Sequence, residues 1–247
     1  MAANADFLSM IVHDIKAPLT GLRLTIEALE DETLPPEIHH RLQGIIQRSE
    51  GLLLHLHNVL DLSRFESGRL VLKPEEIPPG FMIQRLLHHF GPLAQNQGVN
   101  LIAQPAPDLP PIRVDEPSLD RVLANLLVNA LAATPRGGEI KVQTQVLAGS
   151  NHREVEIAVS DTGSGLSPEE QEHLFEKYRL SRHKGNGSGL GLYICKTLVE
   201  ANQGRIWMES VVGRGTSFHL AFPAAGGGEG SGAETEVESG SGGDGLS

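Results

Sequence analysis

A histidine stands beside an acid near the start of the chain, at His13 and Asp14. Apolar residues recur around this pair in alternating steps of three and four, a pattern that predicts an amphipathic helix. His13 falls away from the apolar line through Ile11 and Ile15, so its imidazole should face outward. Such a side chain is a nucleophile that a second domain can reach, although most exposed helical histidines have no catalytic role.

Two asparagines, Asn125 and Asn129, are four residues apart in a segment whose apolar positions predict another helix. The spacing puts both amides on one face, and the surrounding leucines would bury the opposite face. Side-chain carbonyl oxygens are ligands that suit Mg²⁺, which also bridges to phosphates. The alternative is a plain polar stripe on the surface of the helix.

The segment Asp161-Thr162-Gly163-Ser164-Gly165 directly follows a predicted strand. A carboxylate at a strand end can accept a hydrogen bond from an amino group such as that of adenine. Gly163 and Gly165 would let the backbone lie against a flat ring. The same short pattern is also common in ordinary turns.

A second glycine-rich stretch, Gly187-Ser188-Gly189-Leu190-Gly191, opens a predicted helix. A helix that starts in this way can bind a phosphate, because its free backbone N–H groups and the positive end of its dipole face the anion. The stretch lacks the βαβ setting of a dinucleotide fold and the Gly-Lys-Ser/Thr ending of a P-loop. The polar, basic segment between Phe175 and Gly187 suits a mobile lid that closes on a triphosphate.

The elements that must position these groups fall into two regions. Two amphipathic helices, one over residues 6–30 and one from Ile38 to a stop near Gly68, are joined by an acidic, proline-containing turn. A lone pair of helices cannot cover both apolar stripes, whereas two copies can do so as a four-helix bundle. We therefore expect residues 1–68 to form a dimerization domain and the chain to be a homodimer.

Residues 69–223 predict a second domain in which helices and strand hairpins alternate loosely. This pattern favours an α+β sandwich with its helices on one face of the sheet. Residues 224–247 are rich in glycine, serine and acid, and we expect them to be disordered. The expected helices cover 81–96, 116–131 and 193–201, the expected strands cover 101–103, 139–147, 154–161, 205–210 and 216–222, and 70–75 is a short strand or a linker.

Composition excludes several function classes. The net charge is −11, and the last 24 residues hold five acids and no Lys or Arg, which leaves 26 acids and 20 bases elsewhere. This balance argues against a surface for nucleic acid or for anionic membranes. No stretch is apolar enough to span a bilayer, and the N-terminus is not a signal peptide. The one cysteine, Cys195, lies in an apolar run, so we expect a core residue and a cytoplasmic protein.

Taken in order, the motifs resemble the H, N, G1, F and G2 boxes of the sensor histidine kinases of two-component systems. The resemblance covers roughly residues 5–223. It implies a dimerization and phosphotransfer hairpin, followed by an ATP-binding domain of the gyrase/Hsp90/histidine kinase/MutL type. The matching segments are His13-Asp14-Ile15-Lys16-Ala17-Pro18-Leu19, Asn125-x-x-x-Asn129, Asp161-x-Gly163-x-Gly165, Leu174-Phe175-Glu176 and Gly187-x-Gly189-Leu190-Gly191-Leu192.

The resemblance also implies a role for each matching residue. His13 would be the phosphoacceptor and Asp14 its neighbouring base, while Asn129 would ligate Mg²⁺ and Phe175 would anchor the lid. The residues implied to bind ATP are Asn125, Asn129, Asp161, Gly163, Gly165, Phe175, Tyr178, Arg179, Lys184, Gly187, Ser188, Gly189, Leu190, Gly191 and Thr216.

Two features of the nucleotide site depart from the family pattern. Many relatives carry a Lys and then a Tyr after the second asparagine, where this chain has Ala132 and Ala133. A cation at the phosphates and an aromatic wall of the pocket are therefore missing. The basic residues that could replace the cation are Arg136, Arg179, Arg182 and Lys184.

The segment after the histidine departs from the pattern as well. Phosphatase-competent members have Thr or Asn four residues after the phosphoacceptor, where the side chain can orient a water molecule. This chain has Ala17 there, which has no hydrogen-bonding side chain. We therefore expect weak phosphatase activity.

The resemblance implies a kinase that phosphorylates His13 from MgATP and passes the phosphoryl group to an aspartate of a response-regulator receiver domain. Two alternatives stay open: an ATPase or protein-serine kinase on the same fold, and a dimeric pseudokinase scaffold that binds nucleotide without transfer. Ala132 and Ala133 give the second alternative some weight. No sensor region precedes Ala5, so we expect the signal to come from a segment outside this sequence or from a partner.

Overall fold

The structure is a computed structural model that describes residues 15, 18–21, 24–26, 35–148, 153–177 and 189–225. Several predicted features lie outside these residues. They are the phosphoacceptor pair His13 and Asp14, the neighbouring Ala17, the segment expected to form the lid, and most of the tail.

Helix α1 runs over Pro36–Glu66 and carries the second half of the predicted hairpin. A proline in the first turn suits the helix start, because the N–H that proline lacks has no partner inside the helix there. The helix ends at Glu66 with Ser67 as its C-cap, and Gly68 follows with φ +67°, a conformation that favours glycine. The predicted stop near Gly68 is therefore confirmed. Residues 15, 18–21 and 24–26 are helical too.

The rest of the described chain forms a two-layer α/β domain. Its main sheet has five strands in the order β2-β4-β5-β7-β6, with β2 parallel to β4 and every other neighbouring pair antiparallel. The elements are β1 (Glu75–Ile77), α2 (Pro79–Gln97), β2 (Asn100–Gln104), β3 (Ile112–Val114), α3 (Glu116–Ala133), β4 (Glu139–Ala148), β5 (Arg153–Asp161), α4 (Pro168–Glu172), α5 (Gly191–Ala201), β6 (Arg205–Val211) and β7 (Gly215–Pro223).

Alternation along β5 shows which face of the sheet is covered. Val155, Ile157 and Val159 point into the core, and in β7 Phe218 and Leu220 do the same. Helices α2, α3 and α5 pack on this face, because their apolar stripes have no other surface to cover. The sandwich with its helices on one sheet face is confirmed.

Some details of this domain differ from expectation. Residues 70–74 form no strand, so the linker interpretation holds for them. Strand β1 pairs instead with β3 in a separate two-stranded sheet, and neither β3 nor the short helix α4 was predicted. At the other end, Ala224 and Ala225 donate backbone hydrogen bonds to Arg153 and Pro111, so the expectation of disorder is wrong for these two residues.

Cys195 lies in the core between α5 and α3 and is fully buried. Its thiol lies 3.7 Å from the Val122 carbonyl oxygen, and burial raises its pKa well above the usual value. The prediction of a core residue is confirmed. None of the helices in the described part of the chain is both long and apolar enough to cross a membrane.

Helix α1 packs against the α/β domain through its C-terminal half. Leu62 belongs to the same buried cluster as the leucines of α3, and Val59 packs against that cluster. The N-terminal half leaves an apolar stripe uncovered in the single chain: Ile38, Ile45 and Leu52 are 46%, 42% and 48% exposed. The α/β domain therefore covers only part of the apolar surface of α1.

Candidate nucleotide site

Helix α3 is the element on which the candidate site is built, and its start is firmly fixed. The Asp115 carboxylate caps the helix by accepting from the Ser118 N–H at 2.9 Å. The buried Asn202 accepts from the Asp115 N–H at 2.7 Å and donates to the Ser118 hydroxyl at 2.8 Å. These contacts tie the start of α3 to the end of α5, so the two helices hold a fixed relation.

The two predicted asparagines on α3 differ in their exposure to solvent. Asn129 and Ala132 are exposed, whereas Asn125 is 5% exposed and lies inside the protein. The prediction that the two amides share one face holds, but the alternative of a plain surface stripe is wrong for Asn125. From Asn125 to Ala133 the helix rises about 12 Å at 1.5 Å per residue.

The Asp161 loop lies at the C-terminal end of α3. The Asp161 carboxylate is buried at the end of β5 and accepts from the Gly163 N–H at 2.8 Å. A Cβ on Gly163 would lie 2.6 Å from the carbonyl oxygen of Ala133. Gly163 is therefore required because the backbone of the loop lies close to the backbone of Ala133. The sequence had suggested only that Gly163 makes room for a flat ring.

Two further glycines hold this loop against the β6–β7 hairpin. Gly165 has φ +65°, and a Cβ there would lie 2.2 Å from the Val211 carbonyl oxygen. Gly215 has φ +107°, and its Cβ would lie 1.8 Å from the Asp161 carbonyl oxygen. Gly215 was missed as a site residue by sequence reasoning, although the pattern Gly213-Arg214-Gly215-Thr216 was a signal that could have found it.

Thr216, the second residue of β7, lies beside Asp161 and is buried on the same face of the sheet. Its hydroxyl oxygen lies 3.0 Å from that of Ser210, which accepts from the Leu166 N–H at 2.9 Å. Ser210 also lies 3.0 Å from the Gly215 carbonyl oxygen. The structure therefore brings Thr216 and Asp161 together, and Ser210 is a second supporting residue that the sequence did not indicate.

The N-terminus of α5 lies at the other end of the α3 face. Gly189 has φ +66°, Leu190 is buried, and no side chain among the described residues caps the helix start. A Cβ on Gly191 would lie 3.2 Å from Asn125 Oδ1, so the glycine makes room for the amide. Gly187 and Ser188 lie outside the described residues.

The structure describes the lid only at its base. Phe175 is half-buried and packs against the core, together with Leu174 and Tyr193. The Lys177 ammonium lies 5.0 Å from the centre of the Tyr193 ring and pairs with Glu66 of α1. The predicted lid residues Tyr178, Arg179, Arg182 and Lys184 lie outside the described residues.

The positions that lack the family's Lys and Tyr border this site. Ala132 is exposed and Ala133 half-buried, at the end of α3 that contacts the Asp161 loop. Arg136, one suggested replacement, packs its stem over Gly98, where a Cβ would lie 2.8 Å from Arg136 Cγ. The remaining suggested replacements belong to the segment expected to form the lid.

This geometry agrees with the comparison against protein families. The His Kinase A (phospho-acceptor) domain matches residues 3–68, and the histidine kinase-, DNA gyrase B- and HSP90-like ATPase matches residues 114–226. The chain belongs to the sensor histidine kinases and combines a helical phospho-acceptor hairpin with an α/β ATPase domain.

Individual relatives extend the match across both domains. The chain is 31% identical over 225 residues to the adaptive-response sensory kinase SasA of Synechococcus sp. (strain JA-3-3Ab), covering 87% of this chain and 58% of SasA. It is 33% identical over 228 residues to the sensor protein EvgS of Escherichia coli O157:H7, covering 90% of this chain and 19% of EvgS. The chain thus spans less than two thirds of the length of either relative.

Solved structures share the fold. Full-length ShkA in complex with AMPPNP superposes with a TM-score of 0.64 and 24% identity, covering 89% of this chain and 46% of ShkA. The histidine kinase AdeS of Acinetobacter baumannii gives a TM-score of 0.58 and 20% identity, covering 86% of this chain and 98% of AdeS. Both similarities support the two-domain architecture.

The close backbone approach at Gly215 can be tested with a matched pair of variants. Gly213→Ala should cost about 1–2 kcal/mol, because φ is +78° there but the added methyl group meets open space. Gly215→Ala should cost roughly 1–3 kcal/mol more, because the methyl group also collides with Asp161. Chemical unfolding of both variants measures the difference, and equal losses of stability would contradict the predicted collision.

Proposed function

We propose that this chain is the kinase core that phosphorylates His13 from MgATP and then passes the phosphoryl group to an aspartate of a response-regulator receiver domain. The observation that carries the proposal is the arrangement along α3. An exposed hard oxygen ligand (Asn129), a buried acceptor at a strand end (Asp161) and the N-terminus of α5 surround one face of α3, next to a phospho-acceptor hairpin.

Adenine is assigned to the Asp161 end of this face. The carboxylate, fixed by the Gly163 N–H, accepts from the adenine amino group, with Gly163, Gly165 and Thr216 forming the wall beside the ring. The triphosphate then extends along α3 past Asn129 toward the N-terminus of α5. The rise of about 12 Å along α3 fits the reach from a base to its phosphates.

Asn129 is the proposed Mg²⁺ ligand. Its exposed amide offers a hard oxygen without a negative charge, which fits an ion that keeps several waters and takes its other ligands from phosphates. The ion, when bound, neutralises charge on the β- and γ-phosphates. Gly187, Ser188, Gly189, Leu190 and Gly191 supply the backbone at the phosphates.

Neutral imidazole is the nucleophile at the phosphoacceptor. A ring nitrogen of His13 attacks the γ-phosphorus directly. The N–P bond forms while the bond from phosphorus to the β,γ-bridging oxygen breaks, and ADP leaves. Asp14 accepts the proton released from the other ring nitrogen.

The lid completes the site in this proposal. Phe175 anchors its base in the core, while Tyr178, Arg179 and Lys184 contact the nucleotide when the lid closes. Arg179 and Lys184 supply the positive charge that Ala132 does not. Arg136 is less suited to this role, because its stem is held over Gly98.

Two partners belong to the proposal. A second copy of the chain covers the exposed stripe of Ile38, Ile45 and Leu52, which gives a four-helix bundle from residues 1–68. A receiver domain docks on that bundle near His13, and the use of ATP places the reaction in the cytoplasm. Residues 69–223 are the catalytic domain.

A second candidate function is a pseudokinase scaffold, which Ala132 and Ala133 favour because they remove a cation and an aromatic wall from the site. It shares ATP binding and dimerization with the kinase but lacks transfer. An ATPase or serine kinase differs in its product, which would be free phosphate or an acid-stable phosphoprotein.

Asp161→Asn tests the adenine assignment. The variant keeps an acceptor for the Gly163 N–H, but an NH₂ group replaces the second carboxylate oxygen and opposes the adenine amino group. Affinity for a fluorescent ATP analogue should fall at least about tenfold, the loss expected when a charged hydrogen-bond partner is removed. The melting temperature should stay within a few degrees of wild type. Unchanged affinity would remove Asp161 from the site.

His13→Gln tests the phosphoacceptor. The wild-type chain, incubated with γ-³²P-ATP, should acquire acid-labile label, whereas the variant should acquire none because glutamine offers no nucleophilic nitrogen. The variant should still bind the ATP analogue with wild-type affinity, since the proposal assigns no nucleotide-binding role to His13. Persistent label in the variant would place the phosphoacceptor elsewhere, and no label in either protein would favour the scaffold.

Ala17→Thr tests the expected weakness of the phosphatase activity. Threonine introduces a hydroxyl that can orient a water molecule for attack on the phosphoaspartate of the partner. The variant should dephosphorylate a phosphorylated receiver domain faster than wild type, with Ala17→Val as the control of similar shape. Strong phosphatase activity in the unaltered chain would contradict the prediction.

A further inference from the structure

Ser210, near the end of β6, holds its hydroxyl group within hydrogen-bond distance of three partners. Its Oγ atom lies 2.9 Å from the Leu166 backbone nitrogen, 3.0 Å from the Gly215 carbonyl oxygen and 3.0 Å from the Thr216 hydroxyl oxygen. Leu166 belongs to the loop that follows β5, whereas Gly215 and Thr216 begin β7. Ser210 therefore joins the two segments that enclose the candidate adenine site.

Counting protons assigns the direction of each of these hydrogen bonds. A serine hydroxyl has one proton to donate and two lone pairs that accept. The Leu166 N–H can only donate, and the Gly215 carbonyl oxygen can only accept. All three contacts are hydrogen bonds only if Ser210 gives its proton to Gly215 and accepts the proton of the Thr216 hydroxyl. The Thr216 oxygen then has only lone pairs to offer to another partner.

The backbone around Ser210 is tied to the loop that follows β5. Gln171 of α4 donates through Nε2 to the Ser210 carbonyl oxygen at 3.2 Å and to the Leu166 carbonyl oxygen at 2.8 Å. The Gly213 N–H donates to the Ser164 carbonyl oxygen at 2.7 Å, which ties the β6–β7 turn to the same loop. Ser210 therefore has a fixed position from which it directs the hydroxyl proton of its neighbour in β7.

The direction of the Thr216 proton decides which chemical groups fit beside Asp161. The two residues are buried on the same face of the sheet, in adjacent strands. A carboxylate can only accept hydrogen bonds, and the Thr216 oxygen can do no more while its proton is given to Ser210. Two acceptors side by side suit an amino group, which has two protons, and oppose a carbonyl oxygen. Adenine has an amino group where guanine and hypoxanthine have a carbonyl oxygen.

We propose that Ser210 sets the base specificity of the nucleotide site: it holds the Thr216 proton away from the base, so the site accepts a 6-aminopurine and rejects a 6-oxopurine. The inference rests on the proposed function, which places adenine beside Asp161 and Thr216. Ser210 is a positioning residue, because it acts on the base through Thr216. Without Ser210, the Thr216 hydroxyl can rotate and donate to a carbonyl oxygen of the base.

The test compares ATP with inosine triphosphate (ITP), whose base has a carbonyl oxygen in place of the amino group. The dissociation constant of each is measured by displacement of a fluorescent ATP analogue. Wild type should bind ATP at least about tenfold more tightly than ITP. Ser210→Ala should reduce this ratio at least about fivefold, because the released Thr216 hydroxyl can donate to the carbonyl oxygen of ITP.

Two control variants separate this role from a purely structural one. Ser217→Ala removes a comparable hydrogen bond, from Ser217 Oγ to Ser160 Oγ at 2.8 Å, on the opposite face of the same two strands. It should leave the ratio unchanged. Ser210→Thr retains the hydroxyl and should keep a ratio close to that of wild type. A residue that only stabilises the hairpin changes both dissociation constants in step, so the ratio of the two stays constant.

Thr216→Val shows whether Ser210 acts through the neighbouring hydroxyl. Valine has nearly the shape of threonine but neither donates nor accepts a hydrogen bond. In the Thr216→Val background, Ser210→Ala should leave the ratio unchanged, because no hydroxyl is there to be released. If Ser210→Ala does not fold, Ser210→Cys decides the outcome, since sulfur is a weak acceptor that also releases the Thr216 proton.

The outcomes separate this inference from the proposed function. A wild-type chain that binds neither nucleotide, or that binds ATP and ITP equally, contradicts the adenine assignment and the inference with it. A wild type that prefers ATP, with the same ratio in Ser210→Ala and Ser210→Cys, overturns the role of Ser210 alone. A reduced ratio that persists in the Thr216→Val background also overturns it, because Ser210 then does not act through Thr216.

Discussion

The two faces of helix α3 have different roles, and the rest of the α/β domain is arranged around this difference. Its leucines must be buried on the sheet, and the opposite face must remain able to receive a polar ligand. The Asp115 cap and the Asn202 bridge fix the start of the helix, so its rotation about its own axis is set before any ligand arrives. The apolar packing thereby determines where Asn125 and Asn129 point.

The Asp161 loop, at the C-terminal end of α3, is held in place by contacts between backbones more than by side chains. Gly163 and Gly215 allow the loop after β5 to lie against the end of α3 and against the β6–β7 hairpin. A methyl group at either position would push these backbones apart and move the Asp161 carboxylate with them. Gly163 of the family motif and Gly215 outside it therefore each have a structural role in this chain that is independent of any ligand.

The sequence predicted the parts of the fold that local patterns encode. Alternation gave β4, β5, β6 and β7, and apolar spacing gave the long helices, because each pattern reflects burial on one face. It did not predict that Asn125 is buried or that β1 pairs with β3. Both depend on contacts between residues far apart in the chain, such as the 67 residues that separate Asn58 from Asn125. Periodicity carries no information about such pairs.

The two halves of α1 use different kinds of side chain in their contacts. An apolar stripe at its N-terminal half suits permanent burial, because apolar contacts have no ligand to compete with them. The C-terminal half instead buries amides and charged groups. Another polar group that makes equivalent hydrogen bonds can replace either partner of such a pair at little net cost in free energy. The contacts of Asn58 with Asn125 and of Asp61 with Arg121 therefore join α1 to the α/β domain through groups that other polar partners could replace.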